Sequence, residues 1–296
     1  MQLYFFRGPN FGDELNEYLL PKIFPDFFDD DASIRFLGIG SILYDTHPRE
    51  ATKVVFGSGY GKYSPPPVID ESWKIYCVRG PKTAAALGLD RKLVAADSAV
   101  LINRYRSRDR VIRHKLSFMP HFESLMIGQW EEIAQELGLN LIDPRWPVEQ
   151  VLAEIEASEV ILAEAMHGAI TSDALRVPWI PLAPVRPTHR FKWYDWADAL
   201  NIKLRPQFLA PSSLHEALVA RMRRSWVNRV LGGMRLVGAE QVANAPFKLA
   251  AANSLRNAMR AEPSLSADAD LDRALEKLET AALAIRRDFP QLLPAA

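Results

Sequence analysis

Cysteine is nearly absent. The 296 residues include one, Cys77, which excludes an internal disulfide and a cysteine cluster for zinc. Neither charge is in excess: 36 Lys and Arg stand against 36 Asp and Glu. Nothing global therefore points to nucleic acid, which would demand a local basic stripe. No run reaches the roughly 18 apolar residues that span a bilayer. The opening MQLYFFRG has neither a basic n-region nor a long apolar stretch, so no signal peptide is expected and a cytoplasmic location is. Several phosphate and metal signatures are missing too. Gly38-Ile39-Gly40 lacks the third glycine of a dinucleotide fingerprint, and Gly57-Ser58-Gly59-Tyr60-Gly61 has the wrong spacing. There is no GxxxxGKS or GxxxxGKT loop. No His-x-x-x-His pair occurs, so neither a metal site nor a resident cofactor is expected. Gly57-Ser58-Gly59 completes only part of GxSxG, which argues against a serine hydrolase.

What is present is a repeating strand-then-turn layout. Hydrophobic residues make up 48%, enough for ordinary cores, and the length suits two domains. Short apolar runs at Leu3–Phe6, Ile34–Leu37, Lys53–Phe56, Trp73–Val78 and Leu93–Ala96 each end in a polar or glycine-rich turn. A helix is expected from Glu14 to Leu20 with Asp13 as its cap, and another from Lys82 to Leu87. A second set follows: strands at Lys115–Met119, Asn140–Ile142, Glu159–Ala163 and Trp179–Leu182, with helices at Trp130–Leu137 and Val148–Ala157. This reads as α/β throughout, with parallel, helix-covered sheets. The seam lies in the Arg- and Asp-rich stretch Asn103–Arg113, which divides residues 1–107 from 108–210. From Pro211 to 296 the pattern is helical. A helix from Leu214 leads into a basic segment, Arg221–Arg235, interleaved with Trp226, Val227 and Leu231. Two readings of that segment stay open: a face lying on an anionic bilayer, or a solvated helix face. A last helix, Asp268–Asp288, is expected to show Leu271, Leu275, Leu278 and Leu283 on one face.

The informative stretch is VILAEAMHGAI, from Val160 to Ile170. A buried strand runs into Glu164, His167 and Gly168, and a helix follows. In open α/β sheets, ligands bind at the carboxyl ends of strands. His167 fits either a hydrogen-bonded structural histidine or a proton-transfer group. Other polar residues collect at strand ends: Asn10 and Asp13, Ser41, Ser58, Arg79, Asp97 and His121. Each alone has an ordinary explanation. Together, an arginine, two histidines, carboxylates and glycine turns describe a cleft for a small polyanion with proton transfer.

Four stretches, in order along residues 1 to about 200, carry a family resemblance: PNFGDELN (Pro9–Asn16), VRGPKTAAALG (Val78–Gly88), AADSAVLI (Ala95–Ile102) and EAMHGAI (Glu164–Ile170). FMPHFES (Phe118–Ser124) is a weaker fifth. The chain resembles the polysaccharide pyruvyl transferases, especially the bacterial exopolysaccharide type that caps succinoglycan-like repeats with a pyruvate ketal. The resemblance implies two Rossmann-like domains around a cleft, as in GT-B glycosyltransferases, with a helical C-terminal extension. It implies phosphoenolpyruvate as co-substrate and a lipid-linked oligosaccharide acceptor at the cytoplasmic face of the membrane. An Arg and the His of the HG segment would hold the donor, which points to Arg79 and His167. Asp13 would be the base or an acceptor ligand and His121 a phosphate contact, with Asn10, Gly12, Ser41, Ser58, Asp97, Glu164 and Gly168 around the substrates. Many members have an Arg-Asp pair where this chain has Arg79-Gly80, so no acid is assigned there. Two rival readings are a nucleotide-sugar glycosyltransferase of the same shape and a non-catalytic partner in polysaccharide assembly.

Overall fold

The computed structural model describes residues 1–107, 109–221 and 240–290. Among them, eight strands form two parallel sheets. The first has the order β1 (Gln2–Leu3), β2 (Ile34–Leu37), β3 (Thr52–Phe56), β4 (Trp73–Cys77). The second places β6 (Asn140–Leu141), β5 (His114–Met119), β7 (Ser158–Ala163) and β8 (Trp179–Pro181) side by side. Every pairing between these strands is parallel. Parallel strands are covered on both faces and so read as continuous apolar runs. Val54-Val55-Phe56 and Ile161-Leu162-Ala163 are such runs, and all six residues are fully buried.

The helices that matter for the site sit at strand ends. They are α1 (Phe11–Ile23), α2 (Pro81–Ala86), α3 (Phe122–Ile127), α4 (Trp130–Glu136), α5 (Val148–Glu156), α6 (Met166–Ala174), α7 (Arg190–Ala199) and α8 (Leu214–Arg221). One hydrophobic cluster runs through both halves. It joins Phe36, Val54 and Phe56 of the first sheet to Ile161, Ala163 and Trp179 of the second. Leu15 and Leu19 of α1, Ala169 and Ile170 of α6, and the 3-10 segment Ser98–Tyr105 fill the space between.

Several expectations shift. The first strand stops at Leu3: Tyr4 still donates its N–H to the Phe36 carbonyl at 3.0 Å, but Phe5-Phe6 turns away and the Phe6 ring is exposed. Leu93–Ala96 forms only a single bridge, Val78 to Val94, because 3-10 turns bracket it. Helices α3, α7 and Glu240–Ala258 escaped the periodicity argument. In α7 the reason is visible: Asp195 is as buried as Trp193 and Trp196, so no polar stripe marks the helix. The last helix, Asp268–Asp288, begins and ends as expected and packs against β3, β4 and the 98–105 segment. Its buried face holds Leu271, Leu275 and Leu278 with Ile285, whereas Leu283 is 65% exposed. Leu283 lies five residues after Leu278, a spacing that rotates it off the face. The basic segment lies outside the described residues beyond Arg221. Among the described residues, no helix is long and apolar enough to cross a membrane.

Candidate active site

The N-terminus of α1 delivers the first acid. Asn10, not Asp13, is the N-cap, and the helix starts two residues earlier than Asp13. Asp13 therefore sits inside the first turn, where its carboxylate accepts a hydrogen bond from Asn10 Nδ2. Burial raises the Asp13 pKa above the usual carboxylate value, opposed by that hydrogen bond and by His167 and Lys192. Beneath it, fully buried Asn16 ties the helix to the turn after β2. Its Nδ2 donates to the Ile39 carbonyl at 3.0 Å and its Oδ1 accepts from the Ile39 N–H at 2.8 Å. The turn then passes Gly40 at φ +119°, a conformation that favours glycine, beside the Asp13 carboxylate.

His167 occupies the first turn of α6, directly after β7. It faces two residues from the other half. A Cβ on Gly12 would stand 2.0 Å from His167 Nδ1, so the glycine makes room for the imidazole. On the far side of the ring, Nε2 lies 3.6 Å from Asp97 Oδ2. Both atoms are buried and neither has a hydrogen-bond partner. The other Asp97 oxygen caps the 3-10 segment through the Ala99 N–H at 3.1 Å. Buried polar groups are normally paired, and catalytic hydrogen bonds are often long before substrate arrives. An imidazole, its facing carboxylate and a buried neighbouring acid can hold and move protons.

Arg79 is placed differently from the expectation. No part of its side chain is exposed. Its Nε donates to Asp195 Oδ2 at 3.0 Å, Nη1 to Ser41 Oγ at 2.7 Å, and Nη2 to the Tyr60 carbonyl at 3.0 Å. Asp195 also accepts from the Thr83 N–H at 2.8 Å and the Thr83 hydroxyl at 2.6 Å. Gly59 and Gly80 pack onto this knot: a Cβ on Gly59 would strike the guanidinium, and one on Gly80 would strike Asp195. Asp195 of α7 thus supplies the carboxylate that pairs with Arg79. Arg79 holds turns together and is not free to ligate a donor in this conformation. The same holds for Ser41, which accepts from Arg79, and for Ser58, whose buried hydroxyl donates to the Leu37 carbonyl at 3.0 Å. Gly168 approaches Met119, where a Cβ would lie 2.6 Å from Sδ; its role is helix–strand packing.

The second half contributes a histidine group. His121 caps α3, and its Nδ1 accepts from the Glu123 N–H at 3.3 Å, which leaves Nε2 as the protonated ring nitrogen. Burial holds its pKa well below the ordinary value, helped by His189 and Lys192. The His121 and His189 rings stack with centroids 4.5 Å apart. His189 Nε2 is 3.0 Å from Glu123 Oε2 and its Nδ1 is 2.9 Å from the Tyr63 hydroxyl of the first half. Arg186 Nη1 donates to both Glu123 oxygens, at 2.8 and 2.7 Å. Burial alone would raise the Glu123 pKa, but bonds from His189 and Arg186 keep it well below the normal range. Glu164 is internal: it accepts from the His121 N–H, the Ser124 hydroxyl and the Val185 N–H, all within 2.9–3.0 Å. Burial, with the Glu216 charge, pushes its pKa up to about 7. It fixes the backbone beneath the histidines.

His121, Glu123 and His189 place three potential ligand atoms within 4.8 Å of one another, an arrangement the spacing of histidines in sequence did not reveal. A divalent cation there would have to displace Arg186 from Glu123 and sit near the Lys192 ammonium, so the local charge favours an anion. Lys192, Arg186, His189 and Asp195 all come from residues 186–195, which no motif singled out. The only signal was five charged or imidazole side chains, Arg186, His189, Arg190, Lys192 and Asp195, within ten residues.

No solved structure matches the chain. The succinoglycan biosynthesis protein ExoV of Rhizobium meliloti (strain 1021) is 34% identical over 307 aligned residues, covering 95% of this chain and 96% of that protein. The family model for polysaccharide pyruvyl transferase matches residues 10–184, from the Asn10 cap through α1, Arg79, Asp97 and His167 to the end of β8. The match spans more than half of the residues, and the chain belongs to the polysaccharide pyruvyl transferase family.

Proposed function

We propose that this protein transfers the pyruvyl group of phosphoenolpyruvate to a sugar of an exopolysaccharide repeat unit, closing a cyclic ketal, in a GT-B-like cleft between its halves. The observation that carries the reading is the facing pair His167 Nε2 and Asp97 Oδ2, buried and unpartnered, beside the buried acid Asp13. Phosphoenolpyruvate is an enol ester of phosphate. A proton added to its methylene carbon leaves cationic character at C2, which one sugar hydroxyl attacks. A second hydroxyl displaces phosphate as the C2–O bond breaks. One hydroxyl proton balances the new methyl group and the other leaves on phosphate.

The roles follow from the groups. His167, oriented by Asp97, donates the proton to the methylene carbon. Asp13, with a pKa raised by burial, accepts the proton of the attacking hydroxyl. His121 offers its Nε2–H to phosphate as a neutral donor. Arg79 acts one step back: with Asp195 and Ser41 it sets the turns that face the cleft. The acceptor is a lipid-linked oligosaccharide presented at the inner face of the membrane. None of these steps calls on a metal ion.

The test is phosphate release and thermal shift with phosphoenolpyruvate, with and without a lipid-oligosaccharide extract. Donor stabilisation with acceptor-dependent phosphate release is expected. Stabilisation by a uridine diphosphate sugar and indifference to phosphoenolpyruvate would replace this reading with a glycosyltransferase.

A further inference from the structure

The histidine group of the second half contains a relay that the steps above leave unused. Glu123, held ionised by His189 and Arg186, can only accept hydrogen bonds. His189 Nε2, 3.0 Å from Glu123 Oε2, therefore carries a hydrogen, and Nδ1 is left as a bare acceptor. Burial lowers the His189 pKa, with Lys192 and Arg186 adding to the fall against the pull of Glu123, so the imidazole is uncharged at neutral pH. The hydroxyl that donates to Nδ1, at 2.9 Å, is that of Tyr63. Carboxylate, imidazole and hydroxyl stand in the order and at the spacing that make an imidazole a base toward the hydroxyl. Tyr63 itself is poorly suited to lose its proton, because desolvation in the cleft pushes its pKa up to about 12. It reaches Nδ1 from the other half of the protein. Its loop joins β3 to β4, its ring folds over Gly61, where a Cβ would stand 2.6 Å from it, and the side chain is 45% exposed. Arg79 and Asp13 of the first half act on the phenol, as do Glu123 and Arg186 of the second, which puts it in the opening between them.

We propose that His189, oriented by Glu123, is the base for the second acceptor hydroxyl, the one that closes the ketal ring, and that the Tyr63 hydroxyl holds its place until the acceptor arrives. The assignment rests on the pyruvyl-transfer reading and deepens it. The chemistry of Nδ1 selects the occupant. A bare lone pair repels phosphate and carboxylate oxygens, whereas a neutral sugar hydroxyl can donate to it as Tyr63 does. The stacked neighbour fits the same step: His121, 4.5 Å away between ring centroids, offers its Nε2–H to the phosphate that must leave. As the second sugar oxygen bonds to C2, its proton passes to His189 Nδ1. The C2–O bond to phosphate breaks, and its electron pair leaves with phosphate. The imidazolium, now protonated on both nitrogens, is stabilised by Glu123 and then gives the proton to the departing phosphate. Asp13 thus serves the first hydroxyl and His189 the second, and ring closure draws on both halves of the protein.

The experiment measures acceptor-dependent phosphate release and the dissociation constant of phosphoenolpyruvate for wild type, His189→Ala, Glu123→Gln and Tyr63→Phe, with and without added imidazole. His189→Ala is expected to lower kcat about 10²- to 10⁴-fold, the scale of one general base, with donor affinity kept within about threefold. Added imidazole should restore part of that turnover, and more of it as pH rises and the imidazole becomes neutral. Glu123→Gln should keep donor affinity and lower kcat by less, and it carries the same test if His189→Ala fails to fold. Tyr63→Phe should keep kcat and lower the acceptor KM by up to about tenfold, because a competing hydrogen bond is gone. Tyr63→Phe that abolishes turnover overturns the place-holding role. His189→Ala that turns over like wild type, in a protein whose wild type releases phosphate with acceptor, overturns the base and leaves pyruvyl transfer standing. Lost turnover that imidazole does not restore, with donor affinity lost as well, would make His189 a support for His121 and overturn the base too. A wild type without acceptor-dependent phosphate release overturns both readings.

Discussion

The Arg79 knot follows β4 of the first sheet and the His167 group follows β7 of the second, and they are built on opposite terms. At Arg79 the charge is matched: Asp195, Ser41 and the Tyr60 carbonyl surround the guanidinium, and glycines let the chain close over it. At His167 the matching stops short. Asp97 and His167 face each other across 3.6 Å without a hydrogen bond. A fully paired buried charge fixes a fold, and breaking it costs stability. Polar groups held close but unpaired are ready for a substrate to complete them.

That contrast can be broken from either side. The largest effect is expected at His167. His167→Ala should lower turnover about 10²- to 10⁴-fold, the scale of one general acid, with the unfolding midpoint little changed. Near-normal turnover would remove the proton-transfer role. Asp195→Ala should do the reverse. It leaves Arg79 buried without a partner, so urea unfolding should show a loss of about 3–5 kcal/mol, whatever happens to activity. A stable Asp195→Ala protein would mean that the knot is not structural. Arg79→Ala belongs with it: its loss of ketal formation would come with a loss of fold, contrary to the simple donor-ligand expectation. Gly12→Ala should be milder. The new Cβ would meet the imidazole at 2.0 Å and push it from Asp97, lowering turnover about 100-fold. A crystal structure of that variant with His167 unmoved would contradict the account. The smallest effect sharpens the fold side. Leu283→Ala on the last helix should change stability by less than about 0.5 kcal/mol, whereas Leu278→Ala should cost about 2–5 kcal/mol.

Much of this site was legible before any coordinates. His167 and Gly168 mark themselves by ending an apolar run, and Asp97 and Asn10-Asp13 by following one. Those are local patterns, which the chain shows in order. Arg79 stood out in the sequence, but its pairing did not, because that depends on an aspartate 116 residues away. His121 was found without its stacked partner His189, and Lys192 was missed entirely. In sequence, Gly12 and Gly168 are expected around the substrates. Their real constraint is the bulk of His167 and Met119, and sequence spacing carries no information about facing side chains.

The sequence by itself determined the alternation of buried strands and covering helices, the family, and the strand ends where chemistry collects. These follow from apolar periodicity and turn residues, which act over a few positions. Only the tertiary structure decided which charges are neutralised and which stay available. That depends on atoms brought within about 4 Å from distant segments, and at such distances a charge is either matched or costly. The aspartate of α7 silences Arg79, and the same helix carries Lys192 to the cleft.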